Sequence, residues 1–290
     1  MLTLRWGSAT DVGRVRTLNE DSLLAVPTLF VVADGMGGHA AGEVASELTV
    51  TEFARLAEQA PLRTQDLADT VWRANEHILK AASEHGDQRG MGTTVTGVGV
   101  VAGERGEQLA IFNVGDSRVY RFADGQLNQL TVDHSAVQEL VDAGQLSPQA
   151  ARSHPRRNVV TRSLGSNPGP APDVWVLPPL AGDRFLVCSD GLTGELQDTE
   201  IAAVLAAHPD PQDAAHELVR LANAAGGRDN VTTVVLDVLE VVETAAQPVP
   251  AGTQAAPTEA IPAQGIPAPA QAMPTAAMPT AVMPMPTVEG

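Results

Sequence analysis

The chain has 290 residues, 43% of them hydrophobic, enough to bury a sizeable core in one large domain or two small ones. Its net charge of -17 and pI near 4.6 argue against nucleic acid or an anionic membrane surface as the main partner. The single cysteine, Cys188, excludes an internal disulfide and fits a reducing cytoplasm, and its apolar surroundings mark it as a buried structural thiol.

The N-terminus reaches polar and charged residues within a few positions, so no apolar leader is expected. No apolar run approaches the ~20 residues of a membrane helix, and the chain reads as soluble and cytoplasmic. Short apolar runs bounded by Gly, Asp or Pro predict strands at 23–26 and 29–33. Helices follow at 42–59 and 65–84; in the second, Leu67, Val71, Ala74, Ile78 and Ala81 recur at helical spacing behind Thr64 as N-cap. Strands at 93–101, 108–114 and 118–122, joined by short turns, predict antiparallel hairpins. A polar, less regular segment covers 131–168. Strands at 174–177 and 184–189 precede helices at 199–207 and 212–225, which His208-Pro209-Asp210-Pro211 separates. A last strand is expected at 231–239. Adjacent long helices between blocks of strands favour a layered α+β fold over a parallel βαβ sheet. Composition changes between Leu239 and Ala245, and no basic residue follows Arg228. Residues 1–240 therefore read as the folded domain and 241–290 as a disordered Ala/Pro/Met-rich tail.

Val31-Val32-Ala33-Asp34-Gly35-Met36-Gly37-Gly38-His39 ends an apolar strand in a lone carboxylate and a glycine-rich turn. Phe185-Leu186-Val187-Cys188-Ser189-Asp190-Gly191 repeats the arrangement, and Asp229-Asn230 directly precedes Val231-Thr232-Thr233-Val234-Val235. Taken singly, each acid can be a turn residue or a helix cap. Taken with Asn19-Glu20-Asp21-Ser22, they suggest one oxygen-lined metal site, because clustered carboxylates repel and must be neutralised. Hard oxygen donors without a Cys/His pairing point to magnesium or manganese rather than zinc. Glycine after the aspartate frees the backbone to turn sharply, which makes the Gly35 carbonyl a candidate ligand. Arg16 lies four residues before Glu20. A guanidinium beside a metal-carboxylate cluster suits a divalent oxyanion, so metal plus arginine points to phosphate. The competing reading is a salt bridge from Arg16 to Glu20 or Asp21. A cysteine-phosphatase mechanism is excluded, because the position six past Cys188 is Gly194 and not arginine.

In chain order the pieces are Arg16-x-x-Asn19-Glu20-Asp21, Asp34-Gly35-Met36-Gly37-Gly38-His39-x-x-Gly42-Glu43, Met91-Gly92-Thr93-Thr94, Asn113-Val114-Gly115-Asp116-Ser117-Arg118, Ser189-Asp190-Gly191-Leu192 and Asp229-Asn230. This set resembles the metal-dependent protein phosphatases (PPM, protein phosphatase 2C type), especially compact bacterial members, over about residues 5–239. The resemblance implies a four-layer αββα sandwich, two central antiparallel β-sheets flanked by helix pairs, with the metals in a channel at one end. It implies hydrolysis of phosphoserine and phosphothreonine on proteins with manganese or magnesium, two core ions and a more weakly held third. Carried over by position, Asp34 bridges two metals, Asp190 and Asp229 complete the first, and the Gly35 carbonyl binds the second. Glu20 would hold second-site waters, Arg16 would grip the phosphate, and Asp116 would share a third metal with Asp190. Some eukaryotic relatives carry a histidine after the Asp-Gly pair where this chain has Met36; His39, the nearest histidine, is expected to structure the loop rather than donate a proton.

The segment 131–168, with Asp133, His134, Ser153, His154, Arg156, Arg157 and Arg162, resembles the family's variable flap beside the channel. Its arginines suit the acidic surroundings of phosphorylated loops; a solvated excursion is the alternative. Implied partners are phosphorylated proteins, including cognate serine/threonine kinases, and the scarcity of aromatics favours a monomer. Two rival classes are a catalytically silent phosphoprotein-binding scaffold and a hydrolase of nucleotides or small phosphates. The full acid set with Arg16 argues against the first; 3% aromatic content and the lack of a P-loop argue against the second.

Overall fold

The structure, a computed structural model, describes residues 1–37, 41–84, 90–104 and 106–242. The tail expected over 241–290 lies outside the described residues beyond Val242, as does His39. One sheet runs β1 (Leu2–Asp11), β11 (Val231–Val241), β10 (Arg184–Cys188), β7 (Arg118–Ala123) and β8 (Gln126–Gln129). The other runs β2 (Asp21–Val26), β3 (Leu29–Met36), β5 (Val95–Gly103), β6 (Gly106–Val114) and β9 (Asp173–Leu177), with the short β4 (Gly92–Thr93) paired to the end of β3. Every pairing between these strands is antiparallel. Helices α1 (Ala41–Ala57) and α2 (Thr64–Glu84) cover the second sheet; α6 (Asp198–Ala207) and α7 (Pro211–Ala225) cover the first. The expected αββα sandwich is what the chain forms.

The layering explains why the central strands look apolar throughout. Successive side chains leave a strand on opposite faces, and here both faces are covered. In β3, Leu29 and Val31 pack under α1 and α2 while Phe30 and Val32 fill the space between the sheets. In β10, Phe185 and Val187 face the inter-sheet core, whereas Leu186 and Cys188 face α6 and α7. Cys188 is a fully buried free thiol, as expected, and burial pushes its pKa up to about 12.

The structure departs from the sequence reading at several points. Strands β1 and β8 were not expected; they form the two edges of one sheet, where one-sided packing and polar composition blur the apolar signal. Thr64 is the first residue of α2 rather than its cap, and the reach-back there comes from Asp66, which accepts the Arg63 amide at 2.8 Å. The strand succession after Thr93 gives two hairpins, β5–β6 and β7–β8, in different sheets. Between them the chain crosses from sheet to sheet through Gly115-Asp116-Ser117. The segment 131–168 carries two short helices, α3 (Ala136–Asp142) and α4 (Pro148–Ala151), capped by Ser135 and Ser147. A one-turn helix, α5 (Asp190–Thr193), starts directly after β10.

Candidate metal centre

The topology brings acids from both sheets to one end of the sandwich. Asp34 comes from the end of β3, Asp190 from the β10–α5 junction, and Asp229 from the loop entering β11. Asp116 lies on the crossing between the sheets. Arg16, Glu20, Asp34, Gly35, Asp116, Asp190 and Asp229 all line one cleft of about 270 Å³, with Asn158 and Val160 of the flap on its wall. These seven are the residues that the resemblance assigned to metals and phosphate; Asp21 and the flap residues Ser153, Arg156, Arg157 and Arg162 do not line the cleft.

Local hydrogen bonds fix each group. The Asp34 amide donates to Thr94 Oγ1 at 3.0 Å, and the Asp34 carbonyl accepts from the Thr94 amide at 2.9 Å. The Gly35 amide donates to the Glu20 carbonyl at 3.1 Å. Asn230 ties the loop 12–20 to the start of β11: its Oδ1 accepts the Glu20 amide at 2.8 Å, and its Nδ2 donates to the carbonyls of Val12 and Leu18 at 2.9 Å. The Asp229 carboxylate receives the Asn230 amide at 2.9 Å and Arg16 Nη2 at 2.8 Å. The salt-bridge reading of Arg16 therefore meets a different acid from the Glu20 or Asp21 considered from spacing alone.

The electrostatics fit a cation. Burial, then repulsion from Asp21, Asp190, Asp116 and Asp229, holds the Asp34 carboxyl well above the usual carboxylate range. Burial and Asp190 do the same to Asp116. Burial and repulsion from Asp229 lift Asp190 to about 6, against a hydrogen bond from Asp34 that pulls it down. Without a cation the cluster retains protons; a divalent ion removes the repulsion that makes it do so. All donors are oxygens, the set that magnesium and manganese take. Among the described residues, no three Asp, Glu, His or Cys side chains enclose an ion by themselves. The cleft is instead an open wall of acids, and water and backbone carbonyls are the natural completion for ions that keep part of their hydration.

Two supporting residues went unassigned in the sequence. Asp21 lies opposite Asp34 in register across β2 and β3 and accepts from Ser189 Oγ at 2.8 Å. Burial pushes it up to about 7, and its Oδ1 is a buried oxygen with no hydrogen-bond partner among the described residues. It was legible only as part of the Asn19-Glu20-Asp21 run. Asn230 was legible as a neighbour of Asp229 but not as a tether. The flap arginines divide: Arg152 and Arg157 line an adjoining groove of about 510 Å³ that shares Asp116, Asn158 and Asp190 with the cleft, and Arg156 lines neither space.

Two antiparallel sheets between helix pairs, closed at one end by clustered aspartates with an arginine at the rim, define a metal-dependent phosphatase architecture. The model of the protein phosphatase 2C family matches residues 14–229, and the chain belongs to that family. It is 42% identical over 255 residues to the serine/threonine protein phosphatase PstP of Mycobacterium tuberculosis, covering 87% of this chain and 48% of PstP. The chain thus spans about half the length of that curated relative. With the serine/threonine phosphatase stp of Listeria monocytogenes it shares 38% identity over 239 residues, 79% of this chain and 93% of the relative. The crystal structure of the PstP catalytic domain in complex with two manganese ions superposes with a TM-score of 0.76 at 39% identity, covering 83% of this chain and all of that one. No helix among the described residues is long and apolar enough to cross a membrane.

Proposed function

We propose that this chain removes phosphate from phosphoserine and phosphothreonine of proteins, cognate serine/threonine kinases among them, with manganese or magnesium as cofactor. The observation that carries this reading is the single cleft in which the clustered acids face Arg16. Asp34 is assigned to both core ions, Asp190 and Asp229 to the first, the Gly35 carbonyl to the second, and Glu20 to waters of the second. Asp116 and Asp190 are assigned to a third. When bound, the ions supply Lewis acidity, activating water and neutralising phosphate charge. Arg16 binds and orients the phosphate: its one described ion pair, through Nη2 to Asp229, leaves the rest of the guanidinium fork for oxyanion oxygens. The catalytic unit is residues 1–240, a boundary supported by β11, which ends at Val241.

The groove beside the cleft, with Arg152 and Arg157 on its wall, supports the polypeptide reading by leaving space for chain that flanks a phosphorylated residue. The test is manganese-dependent turnover of para-nitrophenyl phosphate and of a phosphothreonine peptide, with nucleotides assayed alongside. Turnover of the peptide that chelation and Asp34→Asn abolish is expected. Binding of the peptide without turnover establishes a silent scaffold instead, and faster turnover of nucleotides establishes a different substrate class.

A further inference from the structure

The turn that carries Asp116 is held at Gly115 by His134 and by Asn113, whose Nδ2 donates to the Gly115 carbonyl at 3.0 Å; the Gly115 amide is held by the His134 ring. Gly115 N donates to His134 Nδ1 at 3.0 Å, and His134 N donates to the Gly115 carbonyl at 2.9 Å, so two bonds clamp one residue to the base of the flap. Gly115 has φ +113°, and a Cβ there would stand 2.5 Å from Thr94 Cγ2. The turn is therefore wedged against Thr94, the same residue whose hydroxyl receives the Asp34 amide and meets Ser117 Oγ at 2.8 Å. Moving Gly115 disturbs Asp116 directly and Asp34 at one remove.

The ring can hold Gly115 in only one tautomer. A backbone amide donates and cannot accept, so Nδ1 must be the bare nitrogen and the proton must lie on Nε2. Nε2 faces Asp173 Oδ2 at 3.0 Å, and Asp173 Oδ1 receives Arg162 Nη1 at 2.8 Å. His134 is 8% exposed and does not line the cleft.

We propose that His134 is a positioning residue for Asp116, and that Asp173, steadied by Arg162, holds the imidazole in the tautomer this requires. The proposal rests on the metal-dependent reading above, and its experiment separates the two. In metal-free full-length protein, ¹⁵N NMR of the His134 ring is expected to show the proton on Nε2; a proton on Nδ1 overturns the proposal whatever the enzyme does. Calorimetric manganese titration is expected to show the Asp116-dependent binding weakened by about 10- to 100-fold in His134→Leu, the usual effect of losing a supporting partner. His134→Asn, which keeps an acceptor near the place of Nδ1, should recover part of this. In an Asp116→Asn background, His134→Leu should cost little more; an equal loss in both backgrounds makes His134 merely structural and overturns the proposal. Should His134→Leu not fold, Asp173→Leu replaces it, with Asp173→Asn expected to lose less because it keeps an oxygen acceptor. A wild-type chain that turns over no phosphopeptide defeats the functional reading alone, because the tautomer measurement still decides the role of the ring.

Discussion

Gly35 has no room for a side chain: a Cβ there would stand 2.2 Å from the Gly42 carbonyl oxygen and 2.5 Å from that of Glu20. Both obstacles are backbone, so neither can swing aside. Gly35→Ala should therefore separate β3 from α1 and displace the Gly35 carbonyl, with manganese affinity falling about 10-fold or more by titration calorimetry. Arg16 gives a different signature. Losing a charge-assisted contact to phosphate costs about 1.5–3 kcal/mol, roughly 10- to 100-fold in kcat/KM for Arg16→Ala. Arg16→Lys should recover only part, because an ammonium cannot reproduce the planar fork; full recovery would show that charge alone suffices. The residues easiest to find from sequence were Asp34 and Asp190, since a carboxylate ending an apolar strand is an anomaly that asks for a counter-charge. The roles of Asp21, Asn230 and His134 were hidden for the opposite reason. They sit in polar, turn-like sequence where such residues are ordinary; Ser189 and the Glu20 backbone lie far off in the chain, and Gly115 lies across a sheet crossing and a hairpin.

Among the elements, the central strands were legible because both faces are buried, and α2 because its apolar stripe is regular. Of the edge strands, β1 carries the half-buried alternation of Leu2, Leu4 and Trp6, which a search for apolar runs passes over, and β8 is almost wholly polar. The crossing from β6 to β7 was also invisible: a short Gly-containing turn reads as a hairpin unless the partner strands are known. One buried ion pair joins elements that are distant in sequence. Arg184 in β10 binds Asp237 of β11 through Nε at 2.6 Å and Nη2 at 2.9 Å, and donates to the carbonyls of Leu205, His208 and Pro209 where α6 ends. Those carbonyls have no intrahelical donors, so the guanidinium serves as the C-terminal cap of α6. Arg184→Leu leaves Asp237 with only the more exposed Arg5, 2.9 Å away. A loss of about 3–5 kcal/mol in denaturant unfolding is expected, with the manganese affinity of the folded fraction retained. A loss below ~1 kcal/mol would mean that Arg5 and water replace the cap.

At the scale of the whole molecule, the acid cluster sets stability against function. Burial raises Asp21 to about 7 and Asp190 to about 6, against ~3.9 for an aspartate in the unfolded chain. Between roughly pH 4 and pH 7 the folded metal-free protein thus holds protons that the unfolded chain has released. Its stability is expected to fall as pH rises through that window, on the order of 1.4 kcal/mol per pK unit of each shift. A divalent ion reverses the sign, since it competes poorly with protons at low pH and binds only the folded cluster at high pH; at 100 times its Kd it adds about 2.7 kcal/mol. The difference in Tm between manganese and chelator should therefore be small near pH 4 and grow through pH 7. It should persist at physiological salt, because buried charges are screened far less than the surface charges behind the net -17. Asp34→Asn supplies the control with opposite signs in one protein. Removing a carboxylate that four others repel should raise Tm in chelator above pH 6, while the gain from manganese shrinks. A manganese gain that stays constant across pH, or survives Asp34→Asn, would place the ions elsewhere than among these acids.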